Sequence, residues 1–195
     1  VAEQEGHVAV EWETILERPG QDEGEAVALV DDGGCLAGGS TKADHRDPRD
    51  ALLVRFDALG SVAWSRVFET PGEQILTAVR QTPNQGFVGV GLEAESDLGA
   101  SRPYVLRVTA EGEFAWGGAQ WTEKLLAEGE LGVFEDVDVG EDGNLVLLGY
   151  RGSYAQGGFQ VYLVQVDPDG NVLRAKQFPY EEGPSTGRGF SATED

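Results

Sequence analysis

The chain has 195 residues, 40% hydrophobic and 25% charged, which is the balance of an ordinary globular protein. Its 14 basic and 35 acidic residues give a formal net charge of −21, which excludes nucleic acid and anionic membranes as main partners because phosphates are repelled. No apolar run approaches the roughly 20 residues of a membrane-spanning helix, so no membrane insertion is expected. The single cysteine, Cys35, excludes an intrachain disulfide.

Three sequence landmarks recur in the same order and predict a repeat of about 52 residues. The first is a tryptophan in an alternating segment, at Trp12, Trp64 and Trp116. The second is a turn followed by a strand that ends in glycine, at Gly39, Gly91 and Gly149. The third is an apolar strand that closes on a tight turn, at Gly60, Gly112 and Gly170. The tryptophans are 52 residues apart in both intervals, whereas the last interval of the two glycine landmarks is 58. Six residues are therefore inserted between Trp116 and Val137.

Each repeat predicts four antiparallel strands, A to D, because short runs rich in Val, Leu, Phe and Tyr are joined by turns rich in Asp, Asn and Gly. The repeats span 22–70, 73–121 and 130–178. The expected strands are A at 24–30, 75–81 and 133–139, B at 35–40, 87–92 and 145–150, C at 51–57, 103–109 and 161–167, and D at 61–68, 113–121 and 171–178. Residues 122–132 predict one short helical turn at most.

The segments DDGG, EDGN, DALLVRFDALGSVAW and DPDGNV together resemble the propeller-like repeats of bacterial secreted and surface proteins. The resemblance covers the whole chain, although Arg174 replaces the tryptophan in the third repeat. It implies an all-β fold, a β-propeller-like array of four-stranded antiparallel blades in a single domain over 1–195. Quinoprotein-type and other propellers share similar hairpins, so the pattern does not single out one family.

Partial repeats are expected at both ends of the chain. Residues 6–16 match strand D of one incomplete repeat, and residues 187–195 match the start of strand A of another. Propellers typically have about four to eight blades, so three arrangements stay open. The chain is a fragment of a longer propeller, which we favour, or copies self-associate to complete a ring, or the end strands pair into a reduced fourth blade.

The motifs that suggest chemistry have simpler explanations in hairpin turns, loops and packing. The run from Asp167 to Asn171 lacks the glycine and glutamate spacing of a calcium loop and predicts a C–D turn. His45 lies among three aspartates but has no second histidine nearby, which favours a solvated loop over a metal site. The three repeated tryptophans are expected to pack blade against blade, and Cys35 to be a buried small hydrophobe. We therefore predict no catalytic residues, no metal and no cofactor.

The B–C and D–A connections, which lie together at one edge of a four-stranded meander, are the expected working surface. We call this the loop edge, and the opposite edge, with the A–B and C–D turns, the turn edge. All length variation falls on the loop edge, where repeat proteins often bind partners. It carries His45, Arg46, Asp47, Glu93, Glu95, Asp97, Glu123, Lys124, Tyr150, Arg151, Tyr154 and Tyr180. The predicted binding residues are Tyr150, Arg151, Tyr154, His45, Arg46 and Asp47, a composition suited to a protein or glycan ligand.

The function expected from these patterns is a non-catalytic interaction or scaffold module of a bacterial envelope or secreted protein, placed outside the cell, on its surface or in the periplasm. Two alternatives stay open. One is a propeller enzyme, such as a hydrolase, a lyase or a quinoprotein-like protein, with its site on the loop edge. The other is a purely structural repeat spacer.

Overall fold

A computed structural model describes residues 11–44, 47–94, 100–126, 130–153 and 158–178. They form three four-stranded antiparallel sheets, each a meander in chain order. The first sheet contains β1 (Gln21–Leu29), β2 (Cys35–Lys42), β3 (Asp50–Phe56) and β4 (Val62–Phe68). The second contains β5 (Glu73–Gln81), β6 (Phe87–Ala94), β7 (Ser101–Val108) and β8 (Phe114–Gly117), followed by α1 (Ala119–Thr122). The third contains β9 (Leu131–Val139), β10 (Leu145–Ser153), β11 (Gly158–Val166) and β12 (Val172–Phe178).

The predicted all-β fold with three repeated four-stranded sheets is confirmed, and two local predictions are wrong. Strand D of the second repeat ends at Gly117 instead of residue 121, and the helical turn is at Ala119–Thr122 rather than within 122–132. The cause is local, because Gly117 and Gly118 both adopt positive φ, at 130° and 75°, and turn the chain out of the strand. This helix has four residues, and no described helix is long and apolar enough to cross a membrane.

The partial repeats at the chain ends are tested only in part. Residues 11–16 contain no strand, which corrects the strand D expected over 6–16. A strand requires a neighbour to satisfy its backbone hydrogen bonds, and none of the three described sheets pairs with residues 11–16. Residues 6–10 and the strand A expected at 187–195 lie outside the described residues.

The three sheets stack face to face in chain order and bury two apolar layers. The layer between the first and second sheets includes Leu36, Leu53, Leu76 and Leu106, and that between the second and third includes Val88, Val105, Phe134 and Val164. Strand A of each later sheet lies across the face of the sheet before it, as the contacts of β5 with β1–β3 and of β9 with β5–β7 show. The second sheet is therefore buried on both faces.

One position of strand A shows how much each sheet depends on its predecessor. Val79 and Val137, which face the preceding sheet, are 0% exposed. Val27, the matching residue of the first sheet, is 68% exposed. The same side chain at the same place in the repeat is thus buried only where a sheet precedes it, and burying it stabilises the fold by about 1.5–3 kcal/mol.

The hairpin turns are fixed by short side chains that repeat their role in each sheet. In the C–D turns, Asp57, Thr109 and Asp167 each accept hydrogen bonds from backbone N–H groups two and four residues later. The sequence-based prediction that the run from Asp167 to Asn171 is a turn is therefore confirmed. In the first two sheets, a buried arginine on strand C fixes the A–B turn. Arg55 and Arg107 are both 5% exposed, and their guanidinium groups donate hydrogen bonds to backbone carbonyls and to side chains of the turn.

The repeated tryptophans pack onto the C–D turn of the following sheet. The Trp64 indole lies over Gly112, donates its Nε1–H to Ala110 O at 2.9 Å and meets Phe87 edge-on. Trp116 lies over Gly170 and donates to Pro168 O at 3.0 Å, and Trp12 lies over Gly60. The expected packing between repeats is present, but the indoles are partly exposed, and Trp12 is 42% exposed.

Cys35 is partly buried at the start of β2, and desolvation raises the pKa of its thiol. The full burial expected for Cys35 is therefore not seen, but the thiolate, which is the nucleophile, is disfavoured there.

We expect Gly112→Ala to destabilise the protein more than Gly33→Ala. Both glycines have positive φ, 79° and 86°, so both variants incur the left-handed cost of about 1–2 kcal/mol. A Cβ at Gly33 makes ordinary contact, at 3.5 Å from Ala58, whereas one at Gly112 lies 3.0 Å from the Trp64 ring. Equilibrium denaturation measures the two losses. The same Cβ also lies 3.0 Å from Arg66 Cγ, so in a Trp64→Ala background the excess loss at Gly112 should shrink without disappearing. An unchanged excess would contradict the packing of the indole on this turn.

Candidate functional site

The predicted binding residues do not form one cluster. Asp47 is exposed in the connection from β2 to β3 of the first sheet, whereas Tyr150 and Arg151 lie on β10 of the third sheet, with the second sheet stacked between them. His45, Arg46 and Tyr154 lie outside the described residues. The role of all six in binding stays a prediction.

Arg151 holds the inserted segment of the third repeat against its sheet. Its Nη1 donates to Leu125 O at 2.5 Å, its Nε lies 3.8 Å from the Glu130 carboxylate, and its guanidinium stacks 4.5 Å from the Tyr162 ring centre. Tyr150 packs edge-on against Phe159. These contacts give Arg151 a structural task within the chain itself, which a loop-length argument does not reveal.

A groove of about 730 Å³ opens at the loop edge between the first and second sheets. We call it the edge groove. One wall comes from the end of β4 and the connection to β5, with Phe68, Glu69, Thr70 and Pro71. The other wall comes from the second sheet and the segment that follows it, chiefly Glu93, Arg102, Tyr104, Phe114 and Glu123. The groove therefore lies on the edge that the sequence predicts as the working surface, and includes Glu93 and Glu123 from that prediction.

Aromatic rings form the apolar part of the edge groove. Phe68 packs at the border of the first apolar layer, Tyr104 is 1% exposed at the base, and Phe114 is 56% exposed at the rim. An exposed phenylalanine beside a concave surface is a feature of binding sites, because filling the cavity removes apolar area from water. The sequence carries no sign of this arrangement, since the three rings belong to three different strands.

A buried carboxylate lies at the inner end of the groove. Glu93 is 7% exposed, its Oε1 accepts a long 3.5 Å contact from the Thr70 hydroxyl, and burial raises the pKa of its carboxyl. The Thr70 contact, the Arg102 guanidinium and the nearby Gln74 amide partly oppose this pKa shift. Arg102 also lies 3.7 Å from the Glu123 carboxylate. A cation placed at this end of the groove would therefore gain attraction from Glu93 and Glu123.

The surroundings of Glu93 are unusually polar for an inter-sheet layer. Gln74, directly opposite on β5, is 0% exposed, and its amide lies close enough to the Glu93 carboxylate to lower the pKa of that group, although it makes no hydrogen bond of good geometry there. Burial, followed by the charges of Glu93 and Asp50, raises the pKa of the Tyr104 hydroxyl far above its usual range. The pKa of the Asp50 carboxyl is also raised, mainly by burial and next by the negative charge of Glu69.

No protein-family model matches the sequence, and no curated protein matches it. Within the described residues, no group of three or more His, Cys, Asp or Glu side chains is arranged to hold a metal ion. The resemblance to bacterial propeller repeats thus rests on the sequence segments alone.

We expect Glu93→Gln to gain stability relative to the unaltered protein as the pH rises. Because burial raises the folded-state pKa above the unfolded value of 4.5, Glu93 favours folding most below that pH, and this contribution is lost as the pH rises through the folded-state pKa. The melting temperature of both proteins, measured from about pH 4 to about pH 7, should diverge in favour of the variant. Glu141→Gln, at an exposed turn-edge carboxylate, is the control. A constant or shrinking difference between Glu93→Gln and the unaltered protein would contradict the raised pKa.

Proposed function

We propose that this chain is a non-catalytic, propeller-type interaction module of a bacterial envelope or secreted protein, and that it binds a protein partner at the edge groove. The observation that carries the proposal is the groove itself, a cavity of about 730 Å³ with the partly exposed ring of Phe114 at its rim. Aromatic residues and arginine are enriched in protein interfaces, and the groove offers three aromatic rings and Arg102.

The charge of the groove favours a basic partner. Its lining holds the three carboxylates of Glu69, Glu93 and Glu123 against the one guanidinium of Arg102, and the whole chain carries a net charge of −21. Complementary charge speeds encounter and selects among partners more than it raises affinity. A protein surface with lysine or arginine beside an apolar side chain would match both parts of the groove.

The repeat geometry supports the propeller part of the proposal. Three sheets of equal topology stack in chain order. Strand A of the second and of the third sheet lies against the sheet before it, as in successive blades. The outer face of the first sheet presents Val27, at the position where Val79 and Val137 are buried. A further sheet stacked there, from a longer chain or from a second copy, would extend the array toward a closed ring.

A propeller hydrolase is the second candidate, and Glu93 is the observation that favours it. Carboxyl groups with pKa values raised by burial and placed beside a groove are frequent general acids. Glu93 would be the proton donor, with Glu69 or Glu123 as its partner carboxylate. The interaction module is favoured because the rim of the groove is apolar and exposed.

We expect substitutions in the edge groove, and not elsewhere, to remove partner binding. The immobilised chain is incubated with the surface and secreted fractions of the cells that produce it, and bound protein and glycan are quantified separately. Phe114→Ser with Glu123→Gln should lower the bound protein at least severalfold. Glu111→Gln with Asp169→Asn, exposed on the turn edge, should leave it unchanged.

Three results would change the conclusion. Loss through Tyr150→Ser alone, with Arg151 and the inserted segment it holds left unchanged, would move the site to the third sheet. Equal binding by all variants would contradict a role for the groove and favour the spacer. Bound glycan that is cleaved, with cleavage lost in Glu93→Gln, would favour the hydrolase.

A further inference from the structure

We propose that the edge groove receives a lysine side chain of the protein partner, inserted end-on so that its ammonium group meets the Glu93 carboxylate and its methylene stem lies along the aromatic rings. This inference rests on the proposed function of the groove as a protein-binding site. It specifies which side chain of the partner enters the groove and which residue of this chain recognises it.

Glu93 is a buried carboxylate whose closest partners are neutral. It is 7% exposed, and among the described residues the groups that contact it are the Thr70 hydroxyl at 3.5 Å and the nearby Gln74 amide. Arg102, directly across on β7, lowers the Glu93 pKa through its charge, but its guanidinium makes an ion pair with Glu123 at 3.7 Å. Because a buried charge is costly unless it is paired, the inner end of the groove favours a cation.

Three elements bring oxygen acceptors together at this end. Glu93 lies on β6, Gln74 lies opposite it on β5, and Thr70 lies in the connection from β4 to β5. Opposite residues of an antiparallel pair direct their side chains to the same face of the sheet, so Gln74 and Glu93 share a face. The Gln74 amide is 0% exposed and makes no hydrogen bond of good geometry with any described residue. Its carbonyl oxygen, the Thr70 hydroxyl and the Glu93 carboxylate are therefore three acceptors available to a ligand.

An ammonium group matches these acceptors better than a guanidinium group does. Lysine carries three N–H donors around one compact atom, whereas arginine carries five in a flat fork that suits two parallel bonds to one carboxylate. In the groove the acceptors belong to three side chains, and only one of them is a carboxylate. An ammonium group can donate to all three, which compensates for the water that it loses on entry.

The walls of the groove suit the stem of a lysine. Lysine buries its methylene groups along apolar surface while its charged end stays solvated or paired. Phe68, Pro71, Tyr104 and Phe114 line the groove together with Glu93, and Phe114, at the rim, is 56% exposed. A side chain with an apolar stem and a cationic end would cover these apolar groups and pair the carboxylate at the same time.

The charge at the mouth of the groove favours the entry of a cation. Glu69 and Glu123 are exposed and line the groove, so they attract a basic partner and repel an acidic one. Salt screens exposed charges strongly and buried pairs much less. The salt dependence of binding therefore separates attraction at the mouth from recognition at Glu93.

The direct test titrates the isotope-labelled chain with acetyl-lysine methylamide, a lysine with both backbone ends blocked, and follows the backbone amides by NMR. Saturable shifts are expected at Thr70, Gln74 and Glu93. The norleucine analogue keeps the stem and lacks the ammonium group, so it should bind at least about tenfold more weakly. The arginine analogue should also bind more weakly. No saturable shifts at these residues, or equal binding of either analogue, would overturn the proposal.

Two single variants separate Glu93 from the charges at the mouth. Glu93→Gln should weaken binding of the lysine amide at least about tenfold, to a similar extent at low and high salt. Glu69→Gln removes the same charge from an exposed position, so it should weaken binding less than about fivefold, and only at low salt. Equal losses in the two variants would show a general charge effect and overturn the site.

The pH dependence of binding to the unaltered chain is an independent measurement. The ammonium group pairs with ionised Glu93, so affinity for the lysine amide should rise as the pH rises through the pKa of that carboxyl, which burial raises, and then level off. The norleucine analogue should show no such rise, and Glu93→Gln should remove most of it. Asp50→Asn is the control, because the pKa of this neighbouring carboxyl is also raised. A rise that persists in Glu93→Gln and disappears in Asp50→Asn would overturn the role of Glu93. The titratable and charged groups around Glu93 are Asp50, Glu69, Arg102, Tyr104 and Glu123.

Competition tests whether the natural partner uses this site. Protein captured by the immobilised chain should be released by an excess of the lysine amide. The same concentration of the norleucine analogue should release none, and the arginine analogue, which has the same charge, should release less. Equal release by the lysine and arginine amides would show an ionic effect and overturn the insertion of a lysine.

The two proposals fail separately. If capture depends on Phe114 and Glu123 while the lysine amide neither binds nor competes, the interaction module stands and lysine insertion is wrong. If the lysine amide binds at Glu93 while capture is indifferent to every groove substitution, the proposed function of the groove is wrong.

Discussion

Burial of one sheet face against the next is the interaction on which this structure depends. Strand A of the second and third sheets buries Val79 and Val137 fully against the sheet that precedes each of them. Val27, the matching residue of the first sheet, stays largely exposed. An antiparallel sheet with one apolar face is not stable alone and has to cover that face. Stacking in chain order satisfies this requirement, and the Trp64 and Trp116 indoles reinforce it by reaching over the next C–D turn.

The edge groove follows from an exception to the repeat. Two successive glycines with positive φ, Gly117 and Gly118, end β8 early and divert the chain into α1. The six added residues of the third repeat also fall in this stretch, between Trp116 and Val137. The outer part of β7 is left without a covering strand, and Phe114 is left at the rim of a cavity. The regular repeats thus build the core, and their local interruption creates the groove that we propose as the binding site, a common division between scaffold and site.

The sequence predicts the strands well because every one of them reflects two independent signals, an apolar run and a turn with Asp, Asn or Gly. It also predicts the loop edge as the site of variation. It does not predict the early end of β8, since residues 117–121 resemble a strand until the conformations of Gly117 and Gly118 are known. Nor does it predict the buried Arg55 and Arg107, or the meeting of Phe68, Glu93 and Phe114, because these depend on how separate strands lie across one another.

Amide hydrogen exchange of the intact chain tests the stacked arrangement most directly. Amides of β6, paired on both sides and buried on both faces, should exchange most slowly, and those of β1 and β12, one edge strand from each outer sheet, should exchange much faster. Slowest exchange in the first or third sheet, or equal protection across all three, would contradict a stack with the second sheet at its centre.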